Sequence, residues 1–210
     1  MRWTKIKGPS TSEAWIFDGL VPGGYQTVLA DPPWYFRNYS KKGELKNPVA
    51  HYKCMDLNDI KALPVSQLAA PNCALVLWAT NPMLPRALEV MEAWGFTYKT
   101  GGAWAKRSKT GRCWHFGTGY ILRSASEPFL VGTRGQPALR AKNVRNLVVA
   151  PVREHSRKPD ELHSEIERLF EGPRCELFAR QRRPGWDAWG LEAGRFNSGS
   201  PAHLAAEETS

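Results

Sequence analysis

The chain has few cysteines, no long apolar run, and almost no acid across one long internal stretch. Each shortage excludes something. The four cysteines, Cys54, Cys73, Cys113 and Cys175, lie far apart with no CxxC pair. Neither a zinc site nor a disulfide framework is expected; buried, inert thiols of a reducing compartment are. The five histidines, His51, His115, His155, His163 and His203, lack metal-ligand spacing, so no metal is expected. No apolar run approaches the roughly 18–20 residues that cross a bilayer. The opening "MRWTKIKGPS" lacks the apolar centre of a secretion signal. A soluble, cytoplasmic protein with no membrane partner is the expectation. With 210 residues, 42% of them hydrophobic and 11% aromatic, the chain can bury a real core. One domain is expected over residues 1–195, followed by a small, polar tail, residues 196–210, that frays.

The missing acid shapes the charge. Residues 99–145 carry ten basic side chains (Lys99, Lys106, Arg107, Lys109, Arg112, Arg123, Arg134, Arg140, Lys142, Arg145) and one acid, Glu127. Ten minus one is nine, the net charge of the whole chain. A second basic cluster, "SKKGELKNP", precedes Cys54. A basic surface that only solubilises would look similar. The Gly, Trp, Tyr and His interleaved with these charges favour a phosphate-backbone footprint, with basic substrate loops at about 37–54 and 99–120.

The apolar pattern gives the architecture. "TVLA", "CALVLWAT", "NLVVAPV" and "CELFAR" read as buried strands. "GYILRSA" and "PFLVGTR" read as a pair of strands. "MDLNDIKALPVSQLAA" reads as a short helix or two. Asn81 looks like an N-cap with Pro82 at the first helical position. Leu84, Ala87, Leu88 and Met91 would form that helix's inner face, and Gly95 its end. Pro159, Asp160 and Glu161 open another helix with Leu162, Ile166, Leu169 and Phe170 inward. Strands alternating with helices predict an α/β sheet covered on both faces. Ligands of such sheets bind beyond the carboxyl ends of the strands. "DPPW", "ATNP", "APVREHSRKPDE" and "FARQRRPGW" all fall at such ends, so four polar segments converge on one edge.

Within "VLADPPWYF", residues 28–36, Asp31 precedes two prolines and a tryptophan. A rigid turn explains most such pairs. The four residues offer more than a turn. Asp31 is a carboxylate acceptor held in one direction, Pro32 adds a carbonyl with no N–H beside it, and Trp34 offers a flat face. Two acceptors beside an aromatic plate match a base with an exocyclic amine. The amine of adenine is a poor nucleophile because its lone pair is delocalised into the ring. Acceptors on its hydrogens would turn that lone pair toward an electrophile, without a metal or a nucleophilic side chain.

DPPW after a strand, followed in order by "HYKCM", "LWATN", "AWAKRS", "EPFLVGTRG", "HSRKPDE", "CELFAR" and "GWDAWG", resembles the MT-A family of N6-adenine methyltransferases, in its bacterial or phage branch. The resemblance runs from about Phe17 to Glu192. It implies a Rossmann-like methyltransferase fold with a mixed sheet, and S-adenosyl-L-methionine as methyl donor. It also implies a permuted order, with the catalytic motif ahead of the cofactor-binding strand; the usual glycine-rich cofactor signature is absent. It assigns Asp31, Pro32, Pro33 and Trp34 to catalysis. It assigns Ala14, Asp31, Lys158, Glu176, Phe178, Arg180 and Glu192 to the cofactor, with Lys158 suited to the methionine carboxylate. It assigns Tyr52, Trp104 and Lys106 to the substrate. Read alone, Lys158 is a solvated lysine at a helix start, Glu176 a salt-bridge partner and Phe178 core. Tyr52 alone is a half-buried core residue, and Trp104 packs on its own loop.

Two departures stand out. Leu191 occupies a position where relatives usually carry a ribose-binding Asn, although Glu192 is kept. After Arg180 the chain reads "QRR", where eukaryotic members have His and Asn; Arg182 and Arg183 either touch the cofactor or face phosphate. The expected activity is methyl transfer to the adenine N6 of DNA. The same chemistry on RNA and a catalytically silent nucleic-acid-binding partner subunit remain as alternatives, the intact DPPW speaking against the second. A homodimer is implied only by the habit of the family.

Overall fold

The computed structural model describes residues 15–35, 54–119, 121–154 and 156–197. Within them, seven strands form one sheet: β1 (Tyr25–Ala30), β2 (Ala69–Trp78), β3 (Thr97–Arg107), β4 (Ser126–Arg134), β5 (Leu147–Pro151), β6 (Arg174–Leu177) and β7 (Asp187–Trp189). Their order is β5-β3-β4-β2-β1-β6-β7. β1 is parallel to β2 and β6, β6 to β7, and β3 to β5, while β4 is antiparallel to both β2 and β3. β4 alone therefore runs against the rest. The carboxyl ends of the other six strands and the start of β4 share one edge, and that edge brings Asp31 near Glu127.

The helices are α1 (Leu57–Lys61), α2 (Leu84–Ala93) and α3 (Asp160–Leu169). β2 shows why its sequence is apolar without interruption. Side chains alternate across a strand. Cys73, Leu75 and Leu77 enter one core with Ile60 of α1 and Ala87, Val90 and Met91 of α2. Ala74, Val76 and Trp78 enter a second core with Leu162 and Ile166 of α3. The result is the expected mixed α/β sheet with helices on both faces. Among the described strands, that of the DPPW motif comes first and that of "CELFAR" next to last. Among the described residues, no helix is long and apolar enough to cross a membrane.

Several sequence-based expectations change. Asn81 does not cap α2; residues Asn81–Met83 form a separate 3-10 turn with Pro82 in it, and Met83 caps α2 without a side-chain hydrogen bond. The inner face of α2 uses Val90, while Leu88 is 40% exposed. "GYILRSA" is not a strand: Ile121 and Leu122 are 94% and 82% exposed. β4 pairs instead with β3, which lies where a basic loop was expected to begin. β3 carries Gly101 and Gly102 at its centre, a composition that weakens a strand. Those glycines are required by close approach: a Cβ at Gly102 would collide with the Phe129 ring and the Asn146 carbonyl. β5 is an edge strand with alternating burial rather than a fully buried one. Phe196, expected in a fraying tail, is 4% exposed and its N–H bonds Arg180 O at 3.1 Å.

Candidate active site

Asp31 follows the last residue of β1. Neighbouring strands in register set Ala30 beside Leu77 on one side and Leu177 on the other. The DPPW turn is fastened by backbone bonds from Trp34 N to Pro32 O at 2.8 Å and from Met55 N to Pro33 O at 3.0 Å. A carbonyl has two lone pairs, so Pro32 O retains a second acceptor site. The fourth residue departs from its expected part. Trp34 is 4% exposed, and its indole N–H bonds Trp78 O at 3.1 Å. It anchors the turn to the end of β2 rather than presenting an open face. The exposed ring beside the motif is Tyr35.

Four charges form a chain at this edge. Lys106 Nζ lies 2.7 Å from Glu127 Oε2, Glu127 Oε1 lies 3.1 Å from Lys158 Nζ, and Lys158 Nζ lies 2.7 Å from Asp31 Oδ2. None is more than 20% exposed. Burial pushes the Asp31 carboxyl above its ordinary range; Lys158 pulls it back, and the Glu127 charge pushes it up again. Burial acts on Glu127 in the same sense, but two ammonium groups outweigh it and hold that carboxyl down at about 2. Sequence reading missed Glu127 as a site residue. The available signal was its isolation as the one acid among ten basic residues.

The lysines stack on tryptophans as well: Lys158 Nζ is 5.4 Å from the Trp78 ring centroid and Lys106 Nζ 4.8 Å from that of Trp104. This settles where Trp104 and Lys106 belong. Both sit in β3, not in a loop. Trp104 is 4% exposed and its indole N–H bonds Ala150 O at 2.9 Å, so it is core beneath the site and not a surface plate for nucleic acid. Lys106 belongs to the charge chain.

Asp31, Lys158, Glu176, Phe178 and Arg180 line one cleft, with Ser156, Arg157, His163, Gln181, Arg183 and Phe196 completing its walls. Among the described residues, the two non-glycine residues in the left-handed backbone region are Ser156 (φ 60) and Phe178 (φ 62), and both line this cleft. Such strain collects at functional sites. Phe178 packs edge-on against Trp189, with centroids 5.5 Å apart. The chain crosses back tightly here: a Cβ at Gly190 would lie 2.7 Å from the Ala179 backbone. Glu176 Oε2 is 3.0 Å from His163 Nε2, and Glu192 bonds Arg180 Nε at 2.8 Å and also pairs with Arg195. Phe196 lies under the guanidinium groups of Arg157, Arg180 and Arg195, 4.9 to 5.6 Å from its centroid. Leu191 is half-exposed beside Glu192.

Most of the sequence-chosen cofactor residues thus meet in one place. Glu192 adjoins the cleft through Arg180. Ala14, Tyr52 and the basic loop 37–54 up to Lys53 lie outside the described residues. The cleft suits a charged nucleoside. It offers carboxylates to cations, guanidinium groups to a carboxylate, and aromatic rings. Among the described residues, three buried side-chain atoms on its walls, Arg157 Nε, Arg183 Nε and His163 Nδ1, have no hydrogen-bond partner.

Comparisons with known proteins point to one family. A family model described as MT-A70 matches residues 25–192. The Type II methyltransferase M.MunI of Mycoplasma sp is 33% identical over 196 residues, covering 84% of this chain and 81% of that protein. The N(6)-adenosine-methyltransferase MT-A70-like protein of Arabidopsis thaliana is 32% identical over 79% of this chain. The N(6)-adenosine-methyltransferase catalytic subunit METTL3 of Homo sapiens is 32% identical over 80% of this chain. The chain spans only 23% and 28% of those two longer proteins. By a match that runs from β1 through β7 and takes in both the DPPW turn and the cleft beside it, this chain belongs to the MT-A70 family.

Proposed function

We propose that this chain transfers the methyl group of S-adenosylmethionine to the exocyclic amine of adenine in DNA. The observation that carries the reading is Asp31, a partly buried carboxylate at the carboxyl end of β1 that opens on the cleft and is ion-paired through one oxygen to Lys158. The sulfonium of the cofactor supplies the electrophilic methyl group. With Oδ2 on Lys158, Asp31 Oδ1 accepts one amine hydrogen and the second lone pair of Pro32 O the other. Both draw the amine nitrogen away from planarity and aim its lone pair at the methyl carbon. The N–C bond forms as the C–S bond breaks, and the amine proton leaves through Asp31. Lys158, paired to Asp31 Oδ2, favours the ionised carboxylate against the upward push of burial. Lys109, Arg112 and Arg123, exposed on the segment between β3 and β4, are placed for phosphates near this edge. In a duplex the adenine must leave the stack, which costs a few kcal/mol.

DNA rather than RNA is favoured because M.MunI is matched over most of its length, whereas the adenosine methyltransferases are matched over about a quarter of theirs. Competition between DNA and RNA oligonucleotides of one sequence, with labelled S-adenosylmethionine, tests this. Label in DNA is expected. Label only in RNA overturns the substrate, and label in neither overturns the reading.

A further inference from the structure

We propose that Ile121 and Leu122, at the tip of the segment between β3 and β4, are a wedge that enters the base stack of duplex DNA where the target adenine leaves it. The proposal rests on the adenine reading above and names the form of its substrate, a paired duplex. Apolar side chains scattered singly over a surface are ordinary. Among the described residues, twelve large apolar side chains stand exposed, and four of them, Trp114, Phe116, Ile121 and Leu122, fall within one stretch of nine residues. Ile121 and Leu122 are the two most exposed of all. The same segment, residues 108–125, carries Lys109, Arg112 and Arg123 and no acid. Apolar side chains amid unopposed positive charge fit a polyanion with an apolar interior, and stacked bases inside a phosphate backbone are such a partner.

The segment is folded so as to hold that tip. It makes two hairpins. In the first, His115 N–H bonds Lys106 O and Ser108 N–H bonds Cys113 O, both at 2.8 Å. In the second, Gly117 N–H bonds Ser124 O at 3.0 Å, and the turn is tight enough that a Cβ at Gly119 would collide with Leu122 O. Arg107 lies 4.5 Å from the Trp114 ring centroid and Arg123 5.2 Å from that of Phe116, so a guanidinium stiffens each hairpin. The feet of the segment adjoin Lys106 and Glu127, the first two links of the charge chain that ends on Asp31. Leu122 lies five residues before Glu127, a reach of about 17 Å at most. A DNA groove is of the same scale, roughly 12 Å wide. The tip can therefore enter the duplex while its foot stays beside Asp31. An adenine drawn into the cleft leaves a gap in the stack. An aliphatic side chain in that gap replaces the lost stacking contacts and delays the return of the base.

The test uses the full chain and a duplex whose target adenine has been mapped with the wild type. That adenine is either paired with thymine or set opposite an abasic site, where it is already unpaired. Combining Ile121→Ser with Leu122→Ser should slow methyl transfer to the paired duplex about tenfold or more, because the cost of extrusion is no longer offset. On the abasic duplex the same variant should stay within about twofold of the wild type. Lys109→Gln, which removes a phosphate contact, should weaken both duplexes alike. 2-Aminopurine in place of the target adenine should brighten on binding the wild type and several-fold less on binding the double variant. Both side chains are exposed, so the melting temperature should not move; should the double variant fail to fold, Leu122→Ala carries the same comparison. Equal losses on the two duplexes, or no loss on either, overturn the wedge. A wild type that methylates single strands and leaves the duplex unlabelled overturns it too. A variant of lower sedimentation mass than the wild type assigns the tip to a second copy of this chain and overturns it likewise. DNA left unlabelled in every form overturns the adenine reading as well.

Discussion

Glu127 is where the electrostatics of the site can be weighed. Glu127→Gln keeps shape and hydrogen-bonding capacity but removes the negative charge between Lys106 and Lys158. Its carboxyl is lowered from an ordinary 4.5 to about 2. At about 1.36 kcal/mol per unit, that displacement corresponds to about 3 kcal/mol favouring the folded, ionised state. The direction follows from proton counting. A depressed carboxyl binds fewer protons folded than unfolded, so its contribution is complete above pH 4.5 and is lost as pH falls toward 2. Glu127→Gln should therefore lower stability by about 3 kcal/mol at pH 7 and by clearly less at pH 3. With a urea slope of about 2 kcal/mol per molar, the midpoint at pH 7 should fall by roughly 1.5 M. Urea titrations of both proteins at several pH values measure this. Equal midpoints at pH 7, or a difference that grows on acidification, would refute the charge chain as described.

Asp31 must be ionised to accept the amine hydrogens, and burial holds its pKa above 3.8, so the acid limb of kcat/KM should lie above that value; a limb at or below 3.8 contradicts the role. Trp104→Phe removes the indole bond to Ala150 O; it should lower stability by about 1–2 kcal/mol in a thermal or urea melt and leave DNA affinity unchanged. A selective loss of DNA binding would restore Trp104 to the substrate surface. Leu191 is half-exposed, so Leu191→Asn should be neutral for folding and tighten S-adenosylhomocysteine by a factor of several in calorimetry; unchanged affinity would show that Glu192 suffices.

The DPPW turn, the helix beginning at Asp160 and the strand of Glu176 were legible because they combine local signals: an apolar run, a proline that fixes the backbone, and polar residues at a strand end. The elements that were misread owe their form to neighbours. Gly101 and Gly102 look like a loop until Phe129 and Asn146 press against them. Ile121 and Leu122 look like a strand, yet both stand exposed and pair with no strand among the described residues. Trp34 and Trp104 offered the same ambiguity, a flat face or a core side chain, and in both the indole N–H found a buried carbonyl. Glu127 was visible only as a charge of the wrong sign in a basic stretch. Its part depends on β4 starting at the edge where β1 ends, which is tertiary information. Phe196 escaped for the same reason: nothing in "GRFNSGS" announces that its ring packs under three guanidinium groups, those of Arg157 and Arg180 on the cleft wall and that of Arg195.

The central claim is that Asp31 holds the adenine amine for direct methyl transfer. The most direct test supplies labelled S-adenosylmethionine and mixed-sequence DNA to the wild type and to Asp31→Ala, then digests the nucleic acid to nucleosides. The account predicts labelled N6-methyladenine with the wild type, and none with Asp31→Ala despite retained fold and DNA binding. Label on another nucleoside, or near-normal N6-methyladenine from Asp31→Ala, would contradict it.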